Sequence, residues 1–384
     1  MSQAPTALGG TWAGITPWLS ELLLRMLGWP GIVIDTPMFP EMTMVRTPGD
    51  LAVIVNNRLK HQGAIYAKSS ALPVYIYPVD WELRENRKLR VALLQGLMPS
   101  TSDMKAGLDS LDAPGFRERH RNHLAAVLQL AHRKIAARDS ALGEKHRPRV
   151  DLVITPEYSV HVDDQDLMRQ FSDSVGGMLF YGLLGARHPV NGEAVNAARW
   201  LVPQRRAGKR SWVEVDQGKG NLTPGEIALG VIPWRPYQVV IELSLGEQTG
   251  FRLGGAICYD ATDIRLAADL RDLSHMFVVT AMNQDVKTFD SMVSALRYHM
   301  YQHVLIANTG EFGGSTAQAP YDLEHARLIA HSHGAGQLSV NIFDIDVDHF
   351  GPPMTACMEQ PAPAKPPKGR PLGKTPPAGL NRKR

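Results

Sequence analysis

Cysteine is rare in this chain, and one of its two cysteines lies where a nucleophile can act. The two are Cys258 and Cys357. Cys258 follows the apolar run Gly254-Gly255-Ala256-Ile257 and precedes the polar pair Tyr259-Asp260. A buried structural cysteine more often lies inside an apolar run with no charged neighbour. The position therefore predicts either a thiol nucleophile at a strand end or a small core residue that closes the strand, and this stretch alone leaves both open.

Two other segments carry the residue types that a thiol nucleophile needs. The predicted buried strand at 150–154 leads into Thr155-Pro156-Glu157-Tyr158, and Lys219 lies in the glycine-rich segment 217–226. A carboxylate can take the thiol proton and return it to a leaving amine. A desolvated lysine can stabilise a developing oxyanion, and exclusion of water strengthens these charges. Glu157, Lys219 and Cys258 are therefore the candidate catalytic residues.

Each of these residues also has an interpretation without chemistry. Glu157 can be an acid at a helix start, where the helix dipole favours it. Lys219 can be a surface lysine, and the glycines on both sides of it predict a mobile loop. Asp260 and Asp263 are interpreted as caps of the following helix, because a carboxylate beside a thiolate would raise the thiol pKa. The trio taken together favours catalysis.

The histidines are not predicted to bind a metal. His331 and His333 share a face of a predicted strand, but no clear further ligand accompanies them. Arg297, His299 and His303 fall on a predicted helix, where they are expected to face solvent or a subunit partner. No metal is expected in this protein.

The elements that must position these residues alternate between strands and helices from Lys88 onward. A buried strand at 89–95, a helix with one apolar face from 116 to about 137 and the strand at 150–154 form a β-α-β unit, which predicts a parallel sheet centre. Residues distant in sequence converge at the carboxyl edge of such a sheet. Further helices are predicted at 164–175, 263–273 and 288–303, and further strands at 177–184, 198–202, 211–215, 238–245, 251–257, 276–281, 304–307, 328–330 and 338–347.

Composition divides the 384 residues into three predicted parts. Residues 88–350 form the main α/β domain, which is large enough for a sizeable core. Residues 1–87 are an α+β accessory extension with a predicted helix at 16–27, strands at 51–55 and 72–77, and a break at 78–80. Residues 351–384 contain nine prolines, and from 361 onward seven basic residues and no acid, which predicts a disordered tail.

Charge and cysteine usage limit the partners and the location. The tail's +7, set against the formal net charge of +3, leaves −4 for residues 1–360. Contact of the tail with nucleic acid is expected to be weak, because a solvated tail is the more common case. Two distant cysteines imply no disulfide framework and predict a cytoplasmic protein. Neither a secretory signal nor a membrane span is predicted, because two charged residues, one proline and two glycines interrupt the apolar stretch 18–34.

Several motifs, in this order, resemble the nitrilase, or carbon–nitrogen hydrolase, superfamily. Ile154-Thr155-Pro156-Glu157-Tyr158 resembles its general-base motif, Lys219-x-x-Leu222-x-Pro224-x-Glu226 its lysine motif, and 255–260 its nucleophile motif. The resemblance extends from about Leu89 to Val347. Each motif is common by chance, whereas the ordered set is specific. Residues in comparable places of the closing half are Asn283, Gly310, Gly313-Gly314-Ser315, Pro320 and Asp344-Ile345-Asp346.

The resemblance implies a fold and a reaction. The fold is an α/β four-layer α-β-β-α sandwich, usually paired into homodimers or larger homo-oligomers that extend the sheets. The reaction proceeds through a thioester acyl-enzyme with no metal or organic cofactor. Cys258 attacks the substrate carbon, Glu157 moves the protons, and Lys219 holds the oxyanion together with the backbone N–H of Tyr259. The implied supporting or substrate-binding residues are Glu226, Tyr259, Tyr158 and Asn283.

Two departures from the family pattern leave the substrate open. Ala261-Thr262-Asp263-Ile264-Arg265 replaces the usual Arg-Phe-Pro-Glu-like run, and residues 1–87 have no counterpart. The substrate can be a small amide, a nitrile, a carbamoyl compound or an acyl donor. The alternative is a nitrilase-fold binding or assembly module that uses the N-terminal region and the basic tail as contacts. A low-pKa thiol that reacts quickly with iodoacetamide would favour the enzyme.

Overall fold

The computed structural model describes residues 49, 73–83, 88–144, 148–206, 209–245, 248–271, 273–321 and 323–347. Two units divide the chain, one comprising Met1–Ile76 with Pro236–Gln238 and the other comprising Tyr77–Arg235 with Val239–Arg384. The predicted helix at 16–27, the predicted strand at 51–55 and the tail at 351–384 lie outside the described residues. The predicted boundaries of the three parts stay predictions.

Fourteen strands lie within the described part of the chain. They are β1 (Val74–Asp80), β2 (Lys88–Gln95), β3 (Leu152–Ile154), β4 (Val160–His161), β5 (Met178–Leu184), β6 (Ala197–Arg206), β7 (Lys209–Gly218), β8 (Gln238–Leu245), β9 (Gln248–Ile257), β10 (Met276–Ala281), β11 (His303–Asn308), β12 (Ser315–Gln318), β13 (Leu328–Ser332) and β14 (Ser339–Asp346).

Eight α-helices lie in the same part. They are α1 (Thr101–Lys105), α2 (Leu108–Leu111), α3 (Pro114–Ala141), α4 (Gln165–Val175), α5 (Pro224–Ala228), α6 (Ile264–Arg271), α7 (Val286–Met300) and α8 (Glu324–Arg327). None of the helices in these ranges has the length and apolar character that a membrane crossing needs.

The strands form two large sheets. The first has the order β1-β8-β9-β10-β11-β12-β13, and the second has the order β14-β2-β3-β5-β6-β7, with β4 paired to β5. The centres β9-β10-β11 and β2-β3-β5 are parallel, as predicted for the second sheet. Hairpins β8-β9 and β6-β7 are antiparallel. Most residues of the central strands are buried and apolar because both faces of each sheet are covered, although β2 also carries the buried Arg90 and Gln95.

The two sheets pack face to face with helices outside them. Gly255 of β9 lies against Phe180 and Trp200 of the second sheet, and a Cβ at this glycine would come within 2.8 Å of the Phe180 ring. On the opposite face of β9, Gly254 lies against Leu270 of α6. Helices α3 and α4 bury their apolar residues on the outer face of the second sheet. The four-layer α-β-β-α prediction is confirmed.

Several local predictions differ from the structure. The break at 78–80 is wrong, because β1 continues through Pro78, which an edge strand tolerates. The strand β12 was missed, since its four residues are too few to establish a period. His303 does not lie on a helix: α7 ends at Met300, Tyr301 takes a left-handed conformation with φ 56°, and His303 is buried at the start of β11.

Candidate active site

Glu157 lies in the turn that follows β3, and the second sheet fixes the backbone of this turn. A Cβ at Gly182 of β5 would lie 2.4 Å from the Glu157 Cα, so only glycine allows this close approach. The next residue, Tyr158, takes a left-handed conformation with φ 60°. Glu157 is buried, and its Oε2 accepts a hydrogen bond of 2.9 Å from the Met282 N–H at the end of β10. The carboxylate thus lies between the two sheets.

Lys219 follows β7 directly and is only 1% exposed. Its backbone N–H donates to the Asn196 carbonyl at 2.9 Å, and its own carbonyl accepts from the Trp234 N–H at 2.8 Å. The ammonium donates to Glu157 Oε1 at 2.9 Å and to the two carboxylate oxygens of Glu226 at 2.9 and 2.8 Å. The interpretation as a surface lysine in a mobile loop is therefore wrong.

Glu226 lies in the first turn of α5 and is bonded at both carboxylate oxygens. Its Oε2 accepts from the backbone N–H and the hydroxyl of Thr223 at 2.8 and 2.9 Å. The Glu226 N–H donates in turn to the Thr223 hydroxyl oxygen at 3.3 Å, which completes a capping box. Its Oε1 accepts from the Tyr158 hydroxyl at 2.8 Å. We name Glu157, Lys219 and Glu226 the carboxylate–lysine cluster. The structure brings Tyr158 to this cluster through its hydroxyl.

Cys258 follows β9 and begins a 3-10 turn that ends at Thr262. Its φ is 43°, a conformation that is uncommon for a residue other than glycine and that clusters at functional sites. The thiol is 5% exposed. Burial raises its pKa, the nearby charge of Glu157 raises it further, and Lys219 and the Met282 N–H only partly oppose this. The thiol is therefore protonated at rest.

Burial and mutual charge set the proton affinities within the carboxylate–lysine cluster. Burial raises the pKa of Glu157 above its ordinary value, because the opposing charge of Lys219 does not fully offset it. Burial alone would lower the pKa of Lys219, but the negative charges of Glu157 and Glu226 and the hydrogen bond to Glu157 outweigh this and raise it. For Glu226 burial favours a higher pKa, yet Lys219 and hydrogen bonds lower it. Within the cluster, Lys219 is therefore the cation and Glu226 the anion, while Glu157 binds a proton more readily than an exposed glutamate does.

Asn196, a residue that the sequence analysis did not select, lies inside this cluster. It is fully buried just before β6, and its amide Nδ2 donates to Glu157 Oε1 and to Glu226 Oε1, both at 2.6 Å. The available signal was a single amide between the apolar residues Val195 and Ala197. The signal was missed because the strand was predicted to begin at 198, beyond this residue.

Asp260 joins the cysteine turn to the lysine segment. Its buried carboxylate accepts from the backbone N–H groups of Gly220 and Asn221 at 2.9 and 2.7 Å, and it pairs with Arg235 at 3.2 Å. Its interpretation as a helix cap is therefore wrong. Asp263 does accept from the Arg265 N–H at 2.9 Å in the first turn of α6, as predicted, and it also pairs with Arg235.

Two predicted supporting residues lie differently. Tyr259 is 49% exposed. The predicted role of Tyr259 as an oxyanion donor involves its backbone N–H, which does not require a buried side chain. The Asn283 side chain donates to the Asp285 carbonyl at 3.0 Å and accepts from the Asp285 N–H at 3.2 Å. These bonds form a local turn ahead of α7 and do not reach the carboxylate–lysine cluster. A substrate-binding role for Asn283 stays a prediction.

The histidine pair lies away from this site. The rings of His331 and His333 stack with centroids 5.4 Å apart, and His331 Nε2 lies 3.2 Å from Asp290 Oδ2. In the ranges described above, no group of three or more His, Cys, Asp or Glu side chains is arranged to hold a metal ion.

Solved structures of known proteins resemble this fold at low sequence identity. One is a cysteine-to-alanine mutant of the Nesterenkonia AN1 amidase from the nitrilase superfamily, with 17% identity, 69% of this chain and 93% of that chain covered, and a TM-score of 0.44. XC1258 from Xanthomonas campestris, a CN-hydrolase superfamily protein, has 15% identity, coverages of 67% and 90%, and a TM-score of 0.45. Saccharomyces cerevisiae Nit3, of branch 10 of the nitrilase superfamily, has 14% identity, coverages of 72% and 95%, and a TM-score of 0.46.

All three belong to the superfamily that the motif order resembles. The sequence itself matches no protein-family model and no curated protein. Because the structural likeness is weak, the functional argument rests on the residues of the site.

Proposed function

We propose that the chain is a thiol hydrolase that cleaves a non-peptide carbon–nitrogen bond in a small amide, nitrile or carbamoyl compound through an acyl-enzyme on Cys258. One observation carries the proposal: a buried thiol in a left-handed turn lies beside a buried carboxyl and a buried ammonium. These are the nucleophile, the proton carrier and the oxyanion partner of such a reaction.

In the first half-reaction, with an amide as the example, the Cys258 sulfur attacks the carbonyl carbon while Glu157 takes the thiol proton. A C–S bond forms, and the carbonyl π electrons move to oxygen. The ammonium of Lys219 stabilises this oxyanion, with the Tyr259 backbone N–H as the second donor. When the oxyanion collapses, the C–N bond breaks and Glu157 gives its proton to the leaving nitrogen. Ammonia or an amine departs and a thioester remains.

In the second half-reaction a water molecule replaces the departed amine. Glu157 takes a proton from the water as its oxygen attacks the thioester carbon. The tetrahedral intermediate collapses with breakage of the C–S bond, and the sulfur regains the proton from Glu157. A carboxylic acid leaves, and every group of the site returns to its starting protonation state.

The hydrogen bonds support proton transfer by Glu157 and a positioning role for Glu226. Each carboxylate oxygen of Glu226 accepts three hydrogen bonds, in which Lys219 takes part at both. In the described chain Glu157 Oε2 accepts from the Met282 N–H, and the charge of this carboxylate acts on the nearby thiol of Cys258. Glu157 therefore has access to the thiol proton, while Glu226 fixes the lysine.

Ammonia release from a panel of small amides, nitriles and ureas tests the proposal. The full-length protein is compared with Cys258→Ala and with Cys357→Ala as the matched cysteine control. We expect hydrolysis of at least one compound by the wild type and the Cys357→Ala variant, and none above background by a folded Cys258→Ala protein. Full activity in Cys258→Ala would overturn it, and activity towards no compound would favour the binding-module alternative.

Assembly and location remain predictions from the sequence. We propose a homodimer or larger homo-oligomer in the cytoplasm, with only weak nucleic-acid contact by the basic tail. Light scattering of the full chain, with and without residues 351–384, tests the assembly. A monomer at micromolar concentration would contradict that part.

A further inference from the structure

Asn196 holds the carboxylate–lysine cluster at three points. Its backbone carbonyl accepts the N–H of Lys219 at 2.9 Å. Its side-chain nitrogen donates to Glu157 Oε1 and to Glu226 Oε1. The ammonium of Lys219 donates to the same two oxygens. The amide and the ammonium therefore bridge the same pair of carboxylate oxygens.

The Asn196 amide stabilises the ionised forms of two carboxylates that lie close together. Two buried carboxylates close together repel each other, which favours protonation of one of them. A single ammonium, shared by Glu157 and Glu226, neutralises only one negative charge. The two N–H bonds of the Asn196 amide supply further donors to the ionised forms without adding a charge. Of the two carboxyls, Glu157 binds a proton more readily. Loss of the amide donors would therefore favour the protonated form of Glu157.

The other end of the same amide shows that packing alone does not explain the residue. Within the described ranges, the buried Asn196 Oδ1 has no hydrogen-bond partner. An unpaired buried acceptor destabilises a fold and calls for an explanation. An apolar side chain of similar size would avoid this cost. The amide, unlike such an apolar side chain, donates hydrogen bonds to Glu157 and Glu226.

We propose that Asn196 is a positioning residue that holds the two carboxylates around Lys219 and keeps Glu157 in its proton-accepting form. Only the expected effect of Asn196 on turnover rests on the proposed function; its effect on the protonation of Glu157 does not. The charged or titratable groups that face Glu157 are Lys219 from the end of β7, Glu226 from α5, Cys258 from the end of β9 and Tyr158 from its own turn.

The direction of the expected effect follows from these groups. Burial raises the pKa of Glu157, and the Asn196 hydrogen bond is among the influences that lower it. Without the amide donors the pKa of Glu157 rises further. A general base must be ionised to act, so the acid limb of kcat/KM against pH moves to higher pH.

The first test measures this profile in Asn196→Ala and Asn196→Asp, with Asn191→Ala as an exposed asparagine control. A hydrogen bond to a charged group corresponds to about one pKa unit, so we expect the acid limb of Asn196→Ala to rise by about one pH unit. The isosteric Asn196→Asp keeps the shape, adds a negative charge and should shift the limb further. Asn191→Ala should leave the limb unchanged. A uniform loss at every pH with an unshifted limb would overturn the proposal, because a merely structural role predicts that pattern.

A second measurement needs no substrate. Infrared pH titration of the full chain, with the Glu157→Gln spectrum subtracted, follows the carboxylic-acid carbonyl band of Glu157. The proposal predicts that this band persists to higher pH in Asn196→Asp, and in Asn196→Ala where that variant folds, than in the wild type. Identical titrations in all proteins would overturn it. If no protein hydrolyses any compound, the proposed function fails, while the infrared titration still decides the role of Asn196.

Discussion

The ammonium of Lys219 lies 2.9 Å from Glu157 Oε1, and both side chains are almost wholly buried. A buried pair of this kind gains little stability over apolar packing, but loss of one partner leaves the other charge uncompensated. Here the same ammonium also bonds both oxygens of Glu226. The lysine is therefore the group on which the protonation of both carboxyls depends.

Replacement of Lys219 by methionine should make stability strongly dependent on pH. Without the ammonium, the folded-state pKa values of Glu157 and Glu226 rise above their unfolded values, so the folded protein binds more protons and loses stability as pH rises. We expect a loss of about 3–5 kcal/mol near neutral pH and a smaller loss near pH 5. Thermal unfolding of Lys219→Met and wild type across this range measures it. A pH-independent difference between the two would contradict the assigned charges.

The two glutamates should differ when each loses its charge. Glu157→Gln removes the proton carrier, and general acid–base catalysis contributes about 10²–10⁴-fold, so kcat should fall by that factor. Glu226→Gln keeps the shape and one of the two oxygens that accept hydrogen bonds from Lys219, so its kcat should fall less. Steady-state kinetics of the two variants, with equal thermal stability as the control, decides the assignment. A larger loss of kcat in Glu226→Gln than in Glu157→Gln would contradict the assignment and make Glu226 the proton carrier.

Asp260→Asn should lower turnover by loosening the connection between the cysteine turn and the lysine segment. A misplacement on the order of 1 Å can reduce rates by about 10²-fold, and we expect kcat to fall by about that factor. Asp263→Asn is the matched control, because Asp263 also pairs with Arg235 but makes no hydrogen bond to Gly220 among the contacts of the described chain. Equal losses of kcat in both variants would contradict this, because they would attribute the loss to the shared ion pair with Arg235 and not to the hydrogen bond with Gly220.

The wild-type pH profile should show an acid limb above the ordinary glutamate value. Burial raises the pKa of Glu157, so the base stays protonated, and inactive, to a higher pH than an exposed glutamate would. kcat/KM should therefore rise with pH through this limb, and the limb should disappear in the residual activity of Glu157→Gln. A limb at or below the ordinary value of about 4.3 would contradict the burial effect.

The sequence predicted the parts of this site that motifs and strand ends mark. Glu157, Lys219 and Cys258 each follow a strand, and the parallel sheet centres and the facing sheets bring them together. The relation of Asp260 to Gly220 was out of reach, because a carboxylate after a turn has the same local pattern whether it caps a helix or bonds another loop. Asn196 was missed because its partners come from elements 39 and 30 residues away. The raised thiol pKa depends on burial, which no local pattern reports.

Mass spectrometry of the protein quenched during turnover tests the central claim most directly. With an amide that the wild type hydrolyses, the account predicts a mass increase equal to the acyl group on the peptide that contains Cys258. The adduct should be absent in Cys258→Ala and should remain in Cys357→Ala. Steady turnover by Cys258→Ala, or an acyl group on any other residue, would contradict the account.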